Sequence, residues 1–293
     1  MSNKITDINL IHIGFHKTAS TLLQEIIFKE NKNLNLLNSN IEKKDLWFYR
    51  HFINLSSHEF SKENFIKQFD KKFNLEINKN QNTKKLNILS DENLSGDPFS
   101  GIESYQLMNR IFDCFDNPKI LIIIRNQLDM IISIYSNYIN NGGTKSFEAW
   151  INGPETRWGM IFKKLNYVPL IRDYNQLFSE KNVKVVCYEN LWNSEDGLVS
   201  LFKEFNINLN LENSKKSLNR GRSLFLNKIF AYLNFTENKF LKKFALRFLN
   251  NKPPLSDRKF VKKIIYDKFS KIILHNRELE KLLNLNLPKK YFD

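Results

Sequence analysis

Apolar positions along this chain gather in short unbroken runs, at Ile8–Ile13, Leu86–Leu89, Lys119–Ile124 and Val183–Cys187. Runs of that length without polar alternation mark strands buried on both faces. Longer stretches with apolar residues three and four apart separate them, so strands alternate with helices. That order predicts an α/β fold, a mostly parallel sheet flanked by helices. The helix after Arg125 is the clearest: Leu128, Ile131, Ile132, Tyr135, Tyr138 and Ile139 share one face, and Asn126, Asp129, Ser133 and Asn137 share the opposite one. Gly142-Gly143 ends it. Residues 31–85, rich in Asn and Lys, give no firm strand signal and read as helices and loops inserted between the first two strands. From about Ser223 to residue 293 the chain reads as helical and basic, as in Asn238–Leu249, with a break at Pro253-Pro254.

The junction after the first run carries the chemistry. An apolar run ends at Gly14, and Lys17, Thr18, Ser20 and Thr21 crowd the start of an apolar-periodic helix. A strand, a short loop and a helix N-terminus bind phosphate, because the first turn's free N–H groups and the positive dipole end face the anion. A Walker A loop, G-x-x-x-x-G-K-[ST], has a second glycine directly before its lysine. Lys17 instead follows Gly14 by three residues and has His16 before it, so this is a phosphate loop of another kind. The third run ends in Arg125, at the strand end where α/β sheets bind ligands. A Walker B strand would end in an acid that serves magnesium. An arginine there points to an extra phosphate. The second run does end in acids, Asp91-Glu92, which keeps a small-molecule or nucleotide kinase as an alternative.

His16-Lys-Thr-Ala-Ser-Thr-x-Leu-Gln24 resembles the 5′-phosphosulfate loop of sulfotransferases that use 3′-phosphoadenosine 5′-phosphosulfate (PAPS), most closely the bacterial and carbohydrate-modifying members. Ile120-Leu-Ile-Ile-Ile-Arg125-Asn-Gln-Leu-Asp129-Met-Ile-Ile-Ser133 resembles the family's 3′-phosphate motif. Leu89–Gly96, Val185–Leu191 and the stretch from His275-Asn276-Arg277 through Tyr291 fit the family's later segments in order. The resemblance spans nearly the whole chain. It implies a single domain over 1–293 with a P-loop-like core, the 31–85 insert bordering the acceptor site and 223–293 as a helical C-terminal part.

The resemblance also implies roles. Lys17 would offset charge on the leaving oxygen, or only hold phosphate. Gly14, Thr18, Ala19, Ser20 and Thr21 would form the cradle of the 5′-phosphate, and Ser20 or Thr21 would also cap the helix. Ala19 stands where the family usually has glycine, which implies a backbone that tolerates a Cβ. His16 would orient Lys17 or touch the acceptor, or be an ordinary loop histidine. Arg125 and Ser133 would hold the 3′-phosphate, Arg125 through charge-assisted hydrogen bonds. Glu92 is the candidate general base, with Asp91 the alternative; His51 and His58 carry no identifying motif. Tyr188 would contact adenine, or be a core-edge tyrosine. Arg220-Gly221-Arg222 would close over the 3′-phosphate. The expected reaction moves a sulfuryl group in line from PAPS to a hydroxyl of a saccharide or glycoconjugate, leaving adenosine 3′,5′-bisphosphate, with no metal.

Composition adds bounds. The net charge is +14, from 45 Lys and Arg against 31 acids, which favours anionic partners. Abundant Lys, Asn and Ile fit an AT-rich coding bias equally well. A basic glycan- or nucleic-acid-binding relative without catalysis is the second alternative; the main reading expects no nucleic acid. Two cysteines, Cys114 and Cys187, imply no disulfide framework. No window reaches the roughly 18 apolar residues of a membrane helix, and the polar N-terminus lacks a signal core, so a cytoplasmic protein is expected. The basic amphipathic helices leave peripheral membrane contact open.

Overall fold

The computed structural model describes residues 4–29, 31–38, 46–83, 85–192, 196–205 and 255–293. The Arg220-Gly221-Arg222 turn and the Asn238–Leu249 pattern lie outside the described residues. Among the described residues, no helix is long and apolar enough to cross a membrane. The chain forms two compact units, Met1–Ile124 with Tyr167–Lys215, and Arg125–Asn166 with Lys216–Asp293.

The first unit holds a five-stranded, all-parallel sheet in the order β2-β3-β1-β4-β5. Its strands are β1 (Leu10–Gly14), β2 (Leu34–Leu36), β3 (Leu86–Ser90), β4 (Lys119–Ile124) and β5 (Val183–Cys187). β4 and β5 take the bounds that their apolar runs predict. β2 lies inside the 31–85 stretch, where no strand is expected. Its three residues, Leu-Asn-Leu, are too few to show a period, and pairing with β3 rather than propensity makes it a strand. The chain passes from β3 on one side of β1 to β4 on the other, and such a reversal opens a crevice at the carboxyl ends of the strands. Lys17, Glu92 and Tyr188 follow those ends within three residues.

Alternation along the strands sends Leu10, Ile88, Leu121 and Ile123 to one face. There they pack with Leu23, Ile27 and Phe28 of the helix after β1, and with Leu191, Leu198, Leu201 and Phe202. Each such fully buried side chain contributes roughly 1.5–3 kcal/mol. A second cluster explains much of the phenylalanine content. Phe48, Phe52, Phe65, Phe69 and Phe115 interlock, with ring centroids 4.9 Å apart for Phe48–Phe52, 4.7 Å for Phe52–Phe65 and 5.8 Å for Phe69–Phe115. Arg110 sits beside them, nearly buried, donating to the carbonyls of Phe52, Leu55 and Ser56 at 2.6, 2.7 and 3.1 Å. Its guanidinium lies 4.3 Å over the Phe60 ring. Arg110→Met leaves three carbonyls short of a donor and is expected to lower unfolding free energy by about 3 kcal/mol. Urea denaturation of both proteins measures it.

The second unit is helical. Helix Gln127–Asn140 is capped by Asn126, whose side chain accepts from Asp129 N. It ends as expected: Gly142, at φ 98°, and Gly143 donate to the carbonyls of Ile139 and Tyr138. Its apolar face is buried as the period predicts, apart from a half-exposed Tyr138. The opposite face is not left to solvent. Asp129 pairs with Arg258 at 3.5 Å and with Lys290 at 3.2 Å. Buried Asn276 donates to Gln127 and to the carbonyl of Tyr291, and Asn126 donates to the carbonyl of Lys290. The segment from His275 to Tyr291 is therefore latched onto the first turn of this helix.

Candidate active site

The loop between β1 and the following helix is held in an unusual shape. Lys17 and Ala19 both have left-handed backbones, at φ 67° and 65°. Ala19 thus does not avoid the glycine conformation, as its Cβ implied; it adopts it, at a cost of order 1–2 kcal/mol per residue. The neighbours supply what holds this shape. Phe15 is buried and packs edge-on against Tyr167 at 4.8 Å. The Thr18 hydroxyl donates to the carbonyl of Phe15 at 2.6 Å. Ser20 is buried, its Oγ 2.5 Å from where a Cβ on Gly14 would stand. Gly14 is therefore required by space. Of the three hydroxyls expected to face phosphate, those of Thr18 and Ser20 point inward and shape the loop. Thr21 is exposed and Lys17 half-buried. The helix itself opens as a short α-helical turn, Ser20–Leu22, and continues as a π-helical one, Leu23–Phe28.

The two acids after β3 have separate positions. Asp91 caps the short 3-10 turn Glu92–Ser95, its carboxylate accepting from Asn93 N at 2.9 Å and Asn93 Nδ2 at 2.8 Å. Burial nevertheless raises its pKa. Glu92 turns to the loop after β1: its Oε1 lies 3.9 Å from His16 Nε2, and its side chain is 38% exposed. The turn closes at Gly96, at φ 78°, where a Cβ would come within 2.4 Å of the Ile102 carbonyl. His51 and His58 are elsewhere in character. His51 stacks on Trp47 and bonds its carbonyl, and His58 is exposed on a loop.

Tyr188 begins the short helix after β5 and is half-buried against the apolar core cluster. In the second unit, Arg125 is half-buried directly before the Asn126 cap, and Ser133 is half-buried two turns into that helix. The intervening Asp129 is engaged with Arg258 and Lys290, so its place in the motif is structural. Among the described residues, no cluster of three or more His, Cys, Asp and Glu side chains could hold a metal. Cys114 and Cys187 are buried free thiols.

Sequence reasoning missed a polar group beneath the loop. His12 lies within apolar β1, fully buried, with Nδ1 2.7 Å from Ser90 Oγ. Gln24 reaches Ser90 as well, and Asn38 pairs with Ser90's backbone in both directions. A histidine inside a run this apolar was the available signal. Burial lowers the His12 pKa from 6.5 to about 3. Unfolding then takes up a proton across that interval, so this residue's contribution to stability falls as pH drops from about 6.5 towards 3. Thermal melts should lose less on acidification in His12→Gln than in the parent. The difference is on the order of a few kcal/mol.

A sequence profile described as the sulfotransferase domain matches residues 7–205. A search of curated proteins returned no match. Among solved structures, the sulfotransferase from Alicyclobacillus acidocaldarius superposes with a TM-score of 0.58 at 12% identity, covering 97% of this chain and 98% of that one. The sulfotransferase domain of the Synechococcus PCC 7002 olefin synthase gives a TM-score of 0.44 at 12% identity, covering 98% of each chain. Mouse sulfotransferase SULT7A1, solved with PAP, gives 0.41 at 13% identity, covering 97% of this chain and 91% of that one. With an all-parallel central sheet and a profile match over most of its length, the chain belongs to the sulfotransferase family, enzymes that take a sulfuryl group from PAPS.

Proposed function

We propose that the chain transfers the sulfuryl group of PAPS to a hydroxyl of a saccharide or glycoconjugate by in-line displacement. Residues Gly14 to Thr21 would hold the 5′-phosphosulfate, chiefly through backbone N–H groups and the Lys17 ammonium. Arg125 and Ser133 would hold the 3′-phosphate, and Tyr188 the adenine. Such a reaction asks the protein to align donor and acceptor, balance charge on the leaving oxygen and remove the acceptor's proton. The observation that carries this reading is the placement of Glu92. It is the acid beside His16 and the phosphate loop, while Asp91 is held in its cap. Glu92 would take the hydroxyl proton, and His16 would orient it. A cytoplasmic location fits a donor that bacteria make there.

The saccharide assignment draws on a loop of the second unit. Arg157, Trp158 and Gly159 are three successive left-handed residues, at φ 52°, 53° and 80°. Buried Thr156 clasps them, its hydroxyl near the carbonyls of Trp150, Ile151 and Gly153. This holds Trp158 out at 76% exposure beside Arg157. An exposed indole on a braced loop suits the apolar face of a sugar ring, and a neighbouring arginine suits its hydroxyl or carboxylate groups. Trp158→Ala is expected to raise the acceptor KM roughly three- to tenfold with the PAPS KM unchanged. The test of the class is transfer of labelled sulfate from PAPS to panels of saccharides and of simple phenols and alcohols. Labelled saccharide is the expected product; label confined to phenols or alcohols would replace the acceptor class.

A further inference from the structure

The two residues that follow Arg125 are both buried amides, Asn126 and Gln127. A helix start asks only for the cap that Asn126 gives to Asp129 N. Both amides do more. Asn126 Oδ1 also accepts from Arg258 Nη2 at 3.2 Å, and Asn126 Nδ2 donates to the Lys290 carbonyl at 2.7 Å. Arg258 Nη2 donates to that same carbonyl at 2.9 Å, so the three bonds close a ring. A guanidinium only donates and a carbonyl only accepts, which leaves the Asn126 amide one orientation. Asp129 clasps the other two members, 3.5 Å from Arg258 Nε and 3.2 Å from Lys290 Nζ. Next to the ring, Gln127 and fully buried Asn276 exchange hydrogen bonds in both directions.

We propose that Arg258 is a positioning residue for Arg125. By closing the ring around Asn126 it fixes the peptide that joins Arg125 to the helix, and with it the direction in which the Arg125 side chain leaves the backbone. A backbone held in advance spares part of the ordering cost of gripping a phosphate. This role rests on the reading of Arg125 as the 3′-phosphate ligand. Its mark is selectivity: a loosened Arg125 costs affinity only for a nucleotide that carries the 3′-phosphate.

Calorimetric titration with adenosine 3′,5′-bisphosphate and with adenosine 5′-monophosphate, which lacks only the 3′-phosphate, tests it. Arg258→Met should weaken the bisphosphate about three- to tenfold, part of the worth of a charge-assisted contact, and leave the monophosphate unchanged. In an Arg125→Ala background the same substitution should cost almost nothing more, because its effect passes through Arg125. Asn126→Ser keeps a cap for the helix but has no amide to close the ring. It should show the same selective loss, and it decides the matter if Arg258→Met does not fold. Equal losses for both nucleotides, or additive losses in the double variant, would mean general damage and overturn the proposal. An unchanged preference for the bisphosphate in the folded variants would overturn it too. A wild-type protein that binds both nucleotides alike would overturn the reading of Arg125 first, and the role of Arg258 with it.

Discussion

Lys17→Ala should lower kcat about 10²- to 10³-fold, the cost typical of losing one donor to a developing oxyanion. In the proposed reaction the ammonium would act in the transition state, when charge builds on the oxygen that bridges phosphate and sulfate. The loss should therefore appear in kcat more than in the PAPS KM. In the proposed donor site Lys17 would also neighbour phosphate in the ground state, so some weakening of nucleotide binding should accompany it. Single-turnover rates at saturating PAPS separate the two contributions. A variant that loses only affinity, with the saturated rate intact, would reduce Lys17 to a phosphate holder.

Glu92→Gln should cut the saturated rate by about 10²- to 10⁴-fold while leaving nucleotide affinity within about threefold. The amide keeps the size and the contact with His16 but cannot take a proton. The acidic limb of the pH–rate profile, which reports ionisation of the base, should vanish in the variant. Asp91→Asn provides the contrast. Its carboxylate serves the Asn93 cap, so its loss should lower stability by about 1 kcal/mol and change the rate far less. A rate loss confined to Asp91→Asn would exchange the two roles.

What the sequence made legible follows from where the physics is local. β4 and β5 are continuous apolar stretches, and their ends can be read directly. Gly142-Gly143 stops its helix because a left-handed C-terminal residue favours glycine. β2 is illegible for the opposite reason: a three-residue edge strand exists only through its neighbour. Ala19 misleads because its identity suggests an ordinary backbone, whereas contacts of Phe15 and Thr18 hold it left-handed. Periodicity showed that Asp129 faces away from the apolar stripe. It could not show that Arg258 and Lys290, far along the chain, come to meet it. The inward turn of Thr18 and Ser20, and the buried His12 beneath them, likewise depend on long-range packing. A motif records which residues a loop contains, and not which way their hydroxyls face.

The most direct test of the central claim is calorimetric titration of the purified protein with adenosine 3′,5′-bisphosphate, beside ADP and ATP with Mg²⁺. The account predicts metal-free binding that requires the 3′-phosphate and is weakened at least tenfold by Arg125→Ala, as loss of a charge-assisted contact would do. A preference for ATP with Mg²⁺, indifferent to the 3′-phosphate and to Arg125, would contradict it.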